Sequence, residues 1–241
     1  MKKSINQFFT VLFIASIFTS CGVDMLNRVN GNRNVVVKER KPQDRFSGIK
    51  VSTGIDLYIS QGNKNTITVE ADENLHDIII TEVKDGVLKI YSDKNIWQAK
   101  ARKVYVTLEN LDLLRATSGS DVYSETTIKT AAISITATSG ADIRIEVDAE
   151  SVETNATSGS DIKISGTSIN HASSATSGSS IDAYNLKSNN VIVNASSGAD
   201  INIYASQKIE AKASSGGDVD FKGNPAKVTK KSSSGGSVSK K

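Results

Sequence analysis

One seven-residue motif, returning at a nearly fixed spacing, restricts this chain more than any other feature. It reads A-T-S-G-S-D-V from Ala116, A-T-S-G-A-D-I from Ala137 and A-T-S-G-S-D-I from Ala156. It continues as A-T-S-G-S-S-I from Ala175, A-S-S-G-A-D-I from Ala195, A-S-S-G-G-D-V from Ala213 and S-S-S-G-G-S-V from Ser232. The starting positions differ by 21, 19, 19, 20, 18 and 19 residues. A unit this short cannot bury an apolar face alone, so a constant period implies units stacked on their neighbours. An eighth copy, V-S-T-G-I-D-L from Val51, puts Gly54 and Asp56 in the same places.

Each unit reads as strand, tight corner, strand. Ile133, Ile135 and Ala137 alternate with polar residues, and so do Ile143, Ile145 and Val147 beyond Ser139-Gly140. Period-two alternation on both sides of a Ser-Gly pair is the pattern of a half-buried strand turning a corner. Glycine suits the corner because it adopts positive φ without a Cβ penalty. The corner glycines are Gly54, Gly119, Gly140, Gly159, Gly178, Gly198, Gly216 and Gly235. A second, looser corner is expected near Asp148-Ala149-Glu150 and Gly166-Thr167. The expected fold is all-β: a parallel β-helix or solenoid of about 19-residue rungs with two main sheets and an irregular N-terminal β cap. Its interior should hold one column of Ala137, Ala156, Ala175, Ala195 and Ala213, and another of Ile143, Ile162, Ile181, Ile201 and Val219. An aromatic content of only 5% suits such a narrow core.

The N-terminus reads as an export signal. Lys2 and Lys3 precede an apolar stretch from Phe8 to Phe18, too short to span a bilayer. Phe18-Thr19-Ser20-Cys21 resembles a bacterial lipobox, with Phe18 where Leu is usual, and Cys21 is the only cysteine. The expected organisation is a lipoprotein signal peptide over 1–20, then lipidated Cys21 and a flexible tether to residue 44. The irregular start of the solenoid follows over 45–115, and the regular repeats over 116–241. Without residues 1–20 the chain has 27 basic and 26 acidic side chains, a formal charge of +1. That balance gives no electrostatic case for nucleic acid. With one cysteine no disulfide can form within the chain.

Little in the sequence points to chemistry. Asp56, Asp121, Asp142, Asp161, Asp200 and Asp218 form a column interrupted by Ser180 and Ser237. Stacked carboxylates could ligate Ca²⁺ or a sugar. The plainer reading is turn chemistry, each aspartate accepting backbone N–H bonds at its corner. Thr117, Thr138, Thr157 and Thr176, continued by Ser196 and Ser214, form a polar column that suits an outward strand face. His76 and His171 are the only histidines, and no His/Cys metal spacing, nucleophile elbow or phosphate-cradling loop occurs. No catalytic residue and no cofactor is therefore assigned. Trp97 and Tyr105 are read as capping the first rung. Lys222, Lys227, Lys230, Lys231, Lys240 and Lys241 crowd the C-terminal end, where charge would guard an open edge.

Phe46-Ser47-Gly48-Ile49-Lys50-Val51 through Gly54-Ile55-Asp56-Leu57, with Lys84-Asp85-Gly86-Val87-Leu88-Lys89-Ile90 and the Ser-Gly turns, resembles the opening and the β-turns of the DUF2807 family, putative auto-transporter adhesin, head GIN domain. The resemblance covers roughly 45–238. It implies a two-sheeted β-helix, a Bacteroidetes-type envelope and a role in adhesion, and it carries over no catalytic residue. The expected function is a non-enzymatic, exported outer-membrane lipoprotein facing the cell surface or the periplasm: an adhesin-like scaffold held to the membrane through lipid on Cys21, with a glycan or protein ligand. Two alternatives stand beside it. One is a carbohydrate-binding or polysaccharide-lyase-like solenoid, for which Arg144 and Lys163 beside Asp142 and Asp161 would serve. The other is a structural envelope protein binding another protein.

Overall fold

The computed structural model describes residues 28–241. The signal segment and Cys21 lie outside the described residues. The N-terminal part contains β1 (Arg28–Asn30), β2 (Val35–Arg40), β3 (Gly48–Val51), β4 (Asp56–Gln61), β5 (Thr66–Asp72), β6 (Ile79–Lys84), β7 (Val87–Ser92), β8 (Asn95–Gln98) and β9 (Arg102–Leu108). The repeats form β10 (Leu113–Thr117), β11 (Asp121–Ser124), β12 (Ile128–Thr138), β13 (Asp142–Thr157), β14 (Asp161–Thr176), β15 (Ser180–Ser196) and β16 (Asp200–Ser214). The last turn is made of β17 (Asp218–Lys222), β18 (Lys227–Ser232) and β19 (Ser237–Lys240).

Successive turns pair in parallel and in register, repeat position on repeat position. Ala137 pairs with Ala156, Ile143 with Ile162, and Asp142 with Asp161. The alanine column is 0–3% exposed and the Ile/Val column 0–1%. Both interior columns are where alternation placed them. The two faces of the solenoid are halves of one curled 17-stranded sheet. The Ser-Gly corner breaks the strand, but the looser corner does not, since β13 runs unbroken from Asp142 to Thr157. There the alternation slips once: Glu150 and Ser151 are both exposed, and the strand resumes with Val152 buried. Unequal rung lengths are absorbed on this side, where register shifts between Lys163 and Ser165 and again between Ala183 and Ser188.

The Ser-Gly corners carry more strain than glycine alone suggests. Both residues have positive φ, for example +58° at Ser158 and +67° at Gly159. Positive φ at both central positions is the hallmark of a type I′ turn, whose twist matches the flanking strands. A left-handed serine is unfavourable by itself. It persists because the turns are tied to one another: Gly140 N–H donates to Ser158 C=O and Gly159 N–H to Ser177 C=O, each at 3.2 Å. Thr53 and Gly54 repeat this conformation, with Gly54 N–H donating to Ser118 C=O at 3.0 Å.

The two ends are closed in different ways. β3 and β4 form a full turn beneath β10 and β11, and β7 and β9 form another beneath that, all in parallel. The chain then switches to antiparallel pairing: β6 on β7, β5 on β9, β2 on β5. This hairpin cap covers the base of the solenoid. From Arg28 on, the tether expected up to residue 44 gives way to structure, because β1 and β2 belong to the cap. Val35–Val37 pair with Glu70–Asp72. The Arg40 guanidinium donates to the carbonyls of Ile79 at 2.6 Å and His76 at 2.7 Å. Asp72, 0% exposed, accepts N–H bonds from Arg33, Lys100 and Ala101 at 2.9–3.1 Å and pins the N-terminal segment. Burial pushes its carboxyl upward, but the three N–H bonds outweigh that and hold it below the usual range.

At the far end the last turn carries lysine where earlier turns are apolar. Lys230 stands on Ala211 and Lys240 on Phe221. The Lys230 ammonium lies 4.8 Å from the centre of the Phe221 ring, and Lys240 Nζ donates to Asn224 Oδ1 at 2.8 Å. Charge on interior positions of the final turn discourages another chain from adding to it.

Candidate functional site

The outward face beside the Ser-Gly corners holds most of the residues singled out by sequence. The aspartates form one row, ordered Lys103, Asp56, Asp121, Asp142, Asp161, Ser180, Asp200, Asp218, Ser237. Asp121 and Asp142 are half-buried, and Asp161, Asp200 and Asp218 are exposed. These carboxylates face outward and do not accept the backbone bonds expected of turn aspartates. The turn is tied one residue earlier. Ser160 Oγ accepts from Thr157 N–H at 3.1 Å and lies 2.8 Å from the Ala137 carbonyl; Ser179 does the same one turn on. The tie belongs to these two turns: Ala141, Ala199 and Gly217 occupy the same position without a hydroxyl, and Ser120 Oγ is buried without a partner.

An unbroken run of like charge has an electrostatic cost. Burial, then the neighbouring Asp142 carboxylate, pushes both Asp121 and Asp161 upward from the carboxylate range. Asp56 is pushed up by burial, with Arg102 opposing. The carboxylates run in a line and do not converge on a point. Among the described residues no group of three or more His, Cys, Asp or Glu is placed to hold a metal ion. Because Asp142 stands between two other aspartates, Asp142→Asn should raise stability slightly, by about 0.5 kcal/mol. A chemical denaturation curve checks this. A loss of about 1 kcal/mol would instead mean that the carboxylate ties the turn.

Two residues beyond the aspartates lies a row the sequence reading missed. Tyr105, Tyr58 and Tyr123 stack with ring centres 4.9 and 5.3 Å apart. Arg144 continues the row, 5.4 Å from the Tyr123 ring centre and donating to its hydroxyl at 3.0 Å. Tyr105 donates to Glu70 at 3.0 Å; burial first, then this bond, pushes its phenol up to about 12. The signal was present in I-D-L-Y and S-D-V-Y, which place tyrosine at the same repeat position in adjacent turns. Both faces of Tyr58 are covered by its neighbours, and Tyr123 lies between Tyr58 and the Arg144 guanidinium. Arg144 and Lys163 are neighbours on this row, as expected, but Arg144 is engaged with Tyr123.

The threonine and serine column lies half-buried along the corner side, with Thr157 pairing with Thr138 and Thr176. The histidines serve structure. His76 Nε2 lies 3.0 Å from the Val36 carbonyl in the cap. His171 is inside the solenoid between Val152 and Val191, 2.9 Å from Thr154 Oγ1, and burial depresses it to about 4. Tyr105 belongs to the base turn, as expected of a cap residue, whereas Trp97 is 56% exposed.

The family model for putative auto-transporter adhesin, head GIN domain (DUF2807), matches residues 45–225. A crystal structure of a putative adhesin from Bacteroides fragilis is similar at a TM-score of 0.83 with 21% identity, covering 88% of this chain and 100% of its own. A putative lipid binding protein from Parabacteroides distasonis is similar at a TM-score of 0.74 and 21% identity, covering 89% of this chain and 99% of its own. A putative adhesin from Parabacteroides merdae is similar at 0.72 and 20%, covering 89% and 99%. At such identities the likeness concerns the fold alone. No curated relative matches. With three quarters of its length under the family model, from the first Ser-Gly-like turn to the last full rung, the chain belongs to the DUF2807 family.

Proposed function

We propose that this chain is a non-enzymatic cell-envelope lipoprotein, anchored by an acyl chain on Cys21, whose solenoid acts as an adhesin-like scaffold at the cell surface. The observation that carries this reading is the form of the outward face. Its Asp, Tyr/Arg and Thr/Ser groups lie in straight rows with one turn between neighbours, about 4.8 Å. Rows of identical spacing suit an extended ligand, such as a glycan chain or a peptide strand, better than a small molecule held in a cleft. The family's own description as an adhesin head supports the same reading.

The test is attachment. A strain lacking the gene should attach several-fold less to host cells, matrix or immobilised glycans, and the wild-type gene should restore it. A copy with Cys21→Ser should not restore it, because the module is then released. Undiminished attachment across these surfaces would contradict the reading. Release of unsaturated sugars from acidic polysaccharide by the pure protein would replace it with the lyase alternative.

A further inference from the structure

The cap end carries an exposed surface that neither the fold nor the outward rows account for. Trp97 is the only tryptophan in the chain, and it is 56% exposed on β8. Its surroundings are cationic. The Arg28 guanidinium lies 4.1 Å from the centre of its ring. Arg33, Lys100 and Arg102 line the hollow beside it, with Asp56 as the one carboxylate there. The nearby Asp72 is buried and bonded to backbone, and Glu70 is paired with Lys103 at 3.8 Å. A large apolar ring rimmed by exposed arginine and lysine is the composition that settles at a bilayer interface: the ring at headgroup depth, the cations on phosphate oxygens.

Chain length says which end of the solenoid lies against the membrane. Arg28 follows Cys21 by seven residues, and seven extended residues span at most about 25 Å. A lipid on Cys21 would therefore hold the cap, and not the lysine-bearing far end, against the bilayer. We propose that Trp97, Arg28, Arg33, Lys100 and Arg102 form a lipid-headgroup docking face that seats the base of the solenoid on the membrane and directs the rungs away from it. The orientation rests on the acylation of Cys21 proposed above; the docking face itself is testable without it.

The experiment uses the chain from residue 21 with Cys21→Ser, so that no acyl chain contributes, and vesicles of phosphatidylethanolamine and phosphatidylglycerol or of phosphatidylcholine. Emission from Trp97, the sole tryptophan, should shift to the blue on the anionic vesicles and less on the neutral ones. Co-sedimentation should weaken at least tenfold in Arg28→Glu/Arg33→Glu. The same charge change at the far end, Lys227→Glu/Lys231→Glu, should leave it unaltered, and circular dichroism identifies any variant that fails to fold. No emission shift with anionic vesicles, or equal weakening by the far-end pair, would overturn the docking face. Palmitate labelling of the wild-type chain in cells reports separately on Cys21. Vesicle binding without labelling keeps the docking face and removes the anchor; labelling without vesicle binding does the reverse.

Discussion

Gly166→Ala should destabilise the solenoid by about 3–4 kcal/mol, the sum of a strained backbone and a forced contact. Gly166 sits at the looser corner with φ +111°, and a Cβ there would lie 1.9 Å from the Val147 carbonyl oxygen one turn away. Neither backbone can retreat without breaking ladder bonds on both sides. Gly223, with φ +99° against the Ala205 carbonyl at 2.0 Å, occupies the corresponding place near the end. Gly159→Ala is the contrasting case. Its φ is +67°, but a Cβ there would meet nothing within 4 Å. Only the conformational term remains, about 1 kcal/mol. Denaturant midpoints of the two variants should therefore differ clearly, although Gly159 belongs to the conspicuous motif and Gly166 does not. Equal losses would mean that the close passage at Gly166 is not present in solution.

The stability should also fall by about 3 kcal/mol between pH 6.5 and pH 4, through His171 alone. The ring is fully buried, and burial depresses it to about 4, so it is neutral in the fold. In the unfolded chain it takes up a proton near pH 6.5. Between those values the unfolded state binds more protons than the folded one, so stability declines as pH falls through the window and the loss is complete below about 4. Other groups act lower or in the opposite sense. The raised Asp121 and Asp161 bind protons more readily when folded, which offsets part of any acid loss. Asp72, held low, loses its contribution only as pH falls below the ordinary carboxylate value of 3.8. The difference between wild type and His171→Val isolates the histidine. Val152 and Val191 already occupy this column, and Thr154 Oγ1 keeps its 3.0 Å bond to Ser173. The variant should lack the decline over this window; a decline of the same size in both would remove His171 as its cause.

These two residues also show which parts of the structure could be read from the repeat. Ala137 and Ile143 were readable as interior because alternation and a 19-residue period agree on them. His171 obeys the same arithmetic, 19 residues after Val152, and column-by-column reading would have placed it inside. The tyrosine row was equally available, from two tyrosines at one repeat position. The cap was not. β2 pairs with β5 across some thirty residues in antiparallel fashion, and β7 slides beneath β3 although it follows it in sequence. No repeat marks such pairings, and Val35-Val36-Val37-Lys38-Glu39-Arg40 alone is as consistent with a charged tether as with a strand. The aspartates misled for another reason: a turn-favouring residue at a turn suggests a turn bond, but these carboxylates lie on the outward face, and at Asp161 the preceding Ser160 already ties the corner.

The outward rows exist only if the rungs stack in parallel, one turn per repeat. The most direct measurement is the distance between spin labels at Thr117 and Ser214, in the chain from residue 22, which contains no cysteine but those introduced. These positions lie on one outward column five turns apart. Parallel stacking predicts a backbone separation of about 24 Å, five strand spacings. A distance near 48 Å, as an antiparallel meander with two strands per repeat would give, would contradict it.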